Sequence, residues 1–234
     1  DWENIAERLL GASVNLKPLA GEYDLNFLAA LGTHSCILKV MRPDCEMSFV
    51  DQEKILNTFE EIVTGVFKKV TDVALPEFPR MTFQDAMENY GNDKPDTRFE
   101  LKLQNLSEVV KGCGFKVFDA PLESGGIVNA LCVKNAADSF SRKDIDAMTD
   151  LVKKYGAKGL AWAKVKSGSG VESWQSPVAK FLSDDTVDAI KAKLQAQEND
   201  LILFGAGDYD STKASLSALR LYLGKRLELF DKKQ

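Results

Sequence analysis

From Phe99 onward the chain switches repeatedly between two hydrophobic periods, and this restricts its fold more than any single residue does. "FELKL", "FKVF", "GIVNALCVK", "GLAWAKVK" and "DLILFGAG" are alternating or continuously apolar over strand lengths. Between them, "LSEVVKGCG", "SRKDIDAMTDLVKKYG", "VAKFLSDDTVDAIKAKLQA" and "DSTKASLSALRLYLGKRL" carry the helical period; in the second, Ile145, Met148, Leu151 and Val152 share one face. Strands and helices interleave without strict βαβ repetition. The pattern predicts an α+β fold, with helices layered on a mostly antiparallel sheet.

The residues before Phe99 are organised differently. "DWENIAERLLG" has helical spacing, and "VNLKPLAGEYDLNFLAALGTHSCILKV" alternates and turns like a small antiparallel sheet, with His34 in a hairpin turn. "CEMSFV" reads as a short strand. Asp51 then caps a helix whose apolar face holds Ile55, Phe59, Ile62, Val63, Val66 and Phe67, and that face needs a sheet to cover it. Thr82 is the expected cap of "FQDAMENY" and Gly91 its stop.

At 234 residues, 44% hydrophobic and 28% charged, the chain has material for one large core or two smaller ones. A net charge of -5 argues against a protein that coats nucleic acid through a global positive field, although it permits a local basic patch. No apolar run approaches the ~20 residues of a membrane helix, and the chain reads as cytoplasmic with no membrane partner. Cys36, Cys45, Cys113 and Cys132 lack paired spacing and are expected to be reduced and buried, with no metal site. With His34 as the single histidine, no Ser/His/Asp or Cys/His set is predicted. Nothing in the sequence decides whether the chain dimerises.

Three stretches carry a family resemblance: "DCEMSFVDQEKILNTFEEIVTGVF", "FPRMTFQDAMENYGNDKPDTRFELKL" and "LILFGAGDYDSTKASLSALRLYLGKRLEL". Together they resemble the bacterial type of aspartyl-tRNA synthetase over about residues 44–234, "YGNDKPDTRF" being the most specific element. The resemblance implies a partial class II catalytic-core segment at 44–98 and, at 99–234, the inserted GAD domain shared with the B subunit of the tRNA-dependent amidotransferase. Lys94, Pro95 and Asp96 would form a stiff connector into that insertion, since Pro95 fixes its own φ and pushes Lys94 towards extended geometry.

The resemblance implies a role in aspartylation of transfer RNA, with tRNA(Asp) as partner and ATP and magnesium as the family's cofactors. Adenylate formation needs an arginine on the ATP phosphate and carboxylates for magnesium. The Phe-Arg-Asp-Glu motif and the glycine- and arginine-rich segments that supply them in the family do not occur here, so the chain is expected to be inactive alone. Asp44 aligns with the aspartate that reads the substrate ammonium, but Met41, Arg42 and Pro43 replace the family's preceding Thr-Gln-Ile.

Residues 1–43 instead resemble the start of the aminoglycoside phosphotransferase-like kinases. Lys39 in "ILKV" takes the place of the strand lysine, and "AGEYDLN" that of the phosphate loop. The alternatives are therefore an ATP-binding remnant led by Lys39, a folded fragment without activity, or a fusion joined near residues 41–46.

Candidate tRNA contacts within the insertion are Lys164, Lys166, Trp174 and Gln175, in "AKVKSGSGVESWQSP", where basic and aromatic residues interleave around glycines. For Trp174 the other reading is a place in the core. "GAGDYD" opens a helix after a strand, but it lacks the lysine of phosphate-binding fingerprints and reads as a capped turn.

Overall fold

The computed structural model describes residues 15–19, 25–31, 34–40 and 49–230, with side chains from residue 53 to residue 230. It divides into two compact units, residues 1–79 and residues 80–234. The second unit begins before the expected start of the insertion at Phe99, so it includes the helix that ends at Gly91.

In the first unit, β1 (Asn15–Leu19), β2 (Leu25–Leu31) and β3 (His34–Val40) form an antiparallel meander in that order. Leu31 pairs with His34, which places the histidine on the first position of β3 rather than in the turn. The expected helix at residues 1–11 lies outside the described residues. The predicted strand "CEMSFV" is corrected at its end: Phe49 and Val50 already belong to α1 (Phe49–Thr71), which therefore starts before the expected cap at Asp51. A helical apolar period that continues through Ile55 and Phe59 absorbs these two residues into the same element. On the apolar face of α1, Phe59 is 53% and Val66 51% exposed.

In the second unit, α2 (Phe83–Tyr90) is built as its sequence demands. The Thr82 side chain accepts from the Asp85 amide, and Gly91 closes the helix at φ 67°, where an added Cβ would strike the Lys213 carbonyl. Then follow β4 (Gln104–Asn105), α3 (Ser107–Val110), α4 (Lys116–Glu123), β5 (Ile127–Val133), α5 (Arg142–Lys153) and β6 (Ala161–Val165). The unit is completed by β7 (Trp174–Gln175), α6 (Asp184–Leu194), β8 (Leu201–Gly207) and α7 (Tyr209–Arg226).

The five strands form one sheet in the order β4-β5-β8-β6-β7, and every pairing is antiparallel. Helices cover both faces of this sheet, one layer more than expected. The reason is β8: Leu201 to Phe204 are all at most 1% exposed, so each face of the central strand needs its own cover. Leu201, Leu203, Leu131 and Val133 pack with α5 and α7, whereas Ile202, Phe204, Val128 and Ala130 pack with α3, α4 and α6.

Two predicted strands are not strands. In "FELKL" the alternation holds, with Phe99, Leu101 and Leu103 buried, but strand pairing begins only at Gln104. The side chain of Arg220, 1% exposed on α7, satisfies this segment instead, donating to the Leu101 carbonyl at 2.6 Å and the Phe99 carbonyl at 2.7 Å. "FKVF" lies at the start of α4, where Phe118 enters the core and Asp119 accepts from the amides of Gly112 and Gly114. Four residues are too few to separate the two periods, and the carboxylate clasp favours the helix.

The way into the unit and its far end are stapled together. Arg98 is paired with Asp96 at 2.7 Å and lies 4.1 Å over the ring of Phe230, which stacks on Phe99 at 5.7 Å.

Candidate nucleic-acid interface

The candidate contacts from the loop after β6 do not share one surface. Trp174 is 5% exposed, because β7 pairs it with Val165, an inward position; its ring sits 5.9 Å from Phe204 and its Nε1 has no hydrogen-bond partner. Gln175 and Lys166 are exposed. Lys164 is half-buried, and its ammonium donates to the Phe140 carbonyl at 2.6 Å.

The glycine turn between them is internally saturated. Asp188 accepts from the Gly170 amide at 2.8 Å and Asp184 from the Val171 amide at 2.7 Å, while Lys191 donates to the Gly168 carbonyl and to Ser173. Amides that would otherwise hold a phosphate are therefore taken by carboxylates. The "GAGDYD" turn behaves in the same way: the Asp208 side chain caps α7 by accepting from the Ser211 amide at 2.9 Å, as the sequence suggested. Its pKa lies below the usual carboxylate range, first through its hydrogen bond from the Ser211 side chain.

Besides Lys166, further exposed cations lie at the end of α7. Phe140, whose carbonyl holds Lys164, lines a groove of about 840 Å³ together with Tyr222, Lys225 and Arg226 from the last turn of α7. Tyr222 is 36% exposed, so the groove offers one aromatic face beside two cations, with Glu228 also at its wall. Sequence reasoning passed over Lys225 and Arg226 because basic residues at a helix end also complement the dipole.

At the end of the sheet where β8 leaves for α7, two further cavities adjoin. One, of about 390 Å³, is lined by Gly125, Gly126, Gly207 and Tyr209; the other, of about 350 Å³, by Phe115, Val117, Pro177 and Val178. Lys158 borders both.

Asp44 lies outside the described residues. Lys39 sits in β3 opposite Asn26, with its side chain outside them too. Among the described residues no three His, Cys, Asp or Glu side chains group as metal ligands. Cys113 and Cys132 are free thiols, and burial pushes Cys132 up to about 11, which leaves it protonated and inert. No described helix is long and apolar enough to cross a membrane.

Residues 118–216 match the GAD domain family. The match runs from within α4 to the middle of α7 and so takes in the glycine-lined cavity, the second cavity except Phe115 and Val117, and the saturated glycine turn. The chain is also 50% identical over 190 residues to the aspartate–tRNA(Asp/Asn) ligase of Bacillus cytotoxicus, and equally to those of Bacillus cereus and Bacillus anthracis. That similarity takes in 80% of this chain but 31% of each relative, so the chain spans about a third of the curated proteins it matches. The resemblance read from "YGNDKPDTRF" thus has support in sequence identity, whereas the kinase-like reading of residues 1–43 gains none from either comparison.

Proposed function

We propose that this chain serves aspartylation of transfer RNA as the accessory GAD-type part of a bacterial-type aspartyl-tRNA synthetase, meeting the RNA rather than forming the adenylate. The observation that carries this is the 50% identity over 190 residues to aspartate–tRNA(Asp/Asn) ligases, centred on the GAD match. Tyr222, Lys225 and Arg226 line one groove with Phe140 and Glu228, Lys164 is tied to the Phe140 carbonyl, and Lys166 and Gln175 stand exposed.

The partner is tRNA(Asp), contacted mainly through phosphates, and ATP and magnesium belong to the adenylate-forming part of such an enzyme. Two assays on the purified chain test the proposal together. Aspartate-dependent pyrophosphate exchange with ATP is expected to stay at background, and labelled tRNA(Asp) is expected to bind saturably. Formation of aspartyl adenylate would overturn the non-catalytic part, and absence of tRNA binding at low salt the RNA part.

A further inference from the structure

The cavity walled by Phe115, Val117, Pro177 and Val178 is apolar, and two lysines, Lys158 and Lys180, flank it. Its floor includes Phe118 and Phe204, whose rings lie 5.5 Å apart. Phe115 stands against Phe118 at 4.8 Å and stacks on Phe181 at 5.1 Å, and Phe181 is 47% exposed with the Lys180 ammonium 4.9 Å from its ring centroid. On the other side Lys158 separates this cavity from the glycine-lined one. Among the described residues Lys158 makes no hydrogen bond or ion pair, although Asp208 feels its charge. The nearby carboxylates are hydrogen-bonded, Asp119 by the amides of Gly112 and Gly114 and Asp208, which lines the glycine-lined cavity beside Lys158, by Ser211.

We infer that this end of the sheet is a binding site for one nucleotide unit of a single-stranded RNA. Its base enters the aromatic cavity, and its phosphate lies at Lys158, over the small-residue floor of the neighbouring cavity. A volume of about 350 Å³ is within the range of small-ligand pockets and admits a planar heterocycle. Aromatic walls accept any base face, and two cations flanking them answer the phosphates that precede and follow it. A peptide side chain would use the apolar walls but leave Lys158 and Lys180 unanswered. The inference rests on the reading that the chain meets RNA, and it adds a site at the opposite end of β6 from Lys164.

The full chain, with its valine methyls labelled, is titrated with AMP, with a single-stranded tetranucleotide RNA and with a leucine-rich tetrapeptide. AMP and the tetranucleotide are both expected to move the Val117 and Val178 methyl signals by ring-current shifts. Lys158→Ala is expected to weaken tetranucleotide binding roughly tenfold, as loss of a charge-assisted contact does. Val117→Glu, at a half-exposed position, is expected to abolish the remaining Val178 shift. Absence of ring-current shifts overturns the site. So does a response to the tetrapeptide in place of RNA, or to AMP without the tetranucleotide. Retained tRNA binding with silent valines would sink this site while leaving the proposed function standing; a nucleotide response without tRNA binding would do the reverse.

Discussion

Arg220 shows how one buried side chain replaces a strand. Its guanidinium lies 4.0 Å from the centroid of the Phe99 ring and 4.7 Å from that of Tyr90, while its nitrogens hold the carbonyls of Phe99 and Leu101. Next to it in space, Gly224 is required because an added Cβ would strike the Phe99 ring. Arg220→Lys cannot reproduce this geometry, since a single ammonium neither stacks between rings nor forks to two carbonyls. Leaving those carbonyls unpaired is expected to cost about 3 kcal/mol, read as a lowered urea midpoint with an unchanged slope. An unaltered midpoint would mean that water satisfies the segment at no cost. The sequence announced the alternation of Phe99, Leu101 and Leu103 but not this partner, which lies more than a hundred residues away.

Among the elements, α2 and α1 stand at opposite ends of a scale of attachment. The link from α2 is Glu88, whose carboxylate meets the almost fully buried Lys213 ammonium at 2.9 Å and accepts from the Tyr209 hydroxyl at 2.9 Å. Burial pushes the Glu88 pKa up, but the hydrogen bonds from Lys213 and Tyr209 outweigh it and hold the group below 4.5. The clasp therefore contributes fully above that unfolded value and is lost as pH falls through the lower folded one. Glu88→Gln is expected to flatten this part of the stability–pH curve; a curve that keeps its full acid slope would assign the slope to other carboxylates. By contrast, α1 buries little of its apolar face, so native-state hydrogen exchange is expected to open it at far lower free energy than α5, which carries Ile145, Met148 and Val152 into the core. Equal protection would show that α1 has a cover. Capping by Thr82 and Gly91 made α2 legible from sequence, and the apolar face of Ile145, Met148, Leu151 and Val152 did so for α5, whose Ser141–Asp144 box the structure adds. No such signal marked "FKVF", where the deciding clasp is Asp119 on the amides of Gly112 and Gly114.

At the scale of the whole molecule, the α+β reading and the antiparallel sheet could be seen in advance because strands and helices each carry their own period. The second helical layer could not, because it follows from the central place of β8, which only pairing reveals. The candidate interface was legible in part. Lys164, Lys166 and Gln175 keep polar groups at the surface or its margin, whereas the pairing of Trp174 with Val165 took the aromatic residue inward. Tyr222, Lys225 and Arg226 joined the site only once α7 had brought its last turn beside Phe140. Under the proposed function, an acidic chain with so small a basic set would make few phosphate contacts. The most direct measurement is a salt titration of labelled tRNA(Asp) binding to the parent chain and to a Lys225→Glu, Arg226→Glu variant. The account predicts saturable parental binding with a shallow slope, about -0.9 per phosphate contact on duplex RNA taken by analogy with duplex DNA, and both weaker binding and a reduced slope in the variant. Identical isotherms and slopes for the two proteins would contradict it.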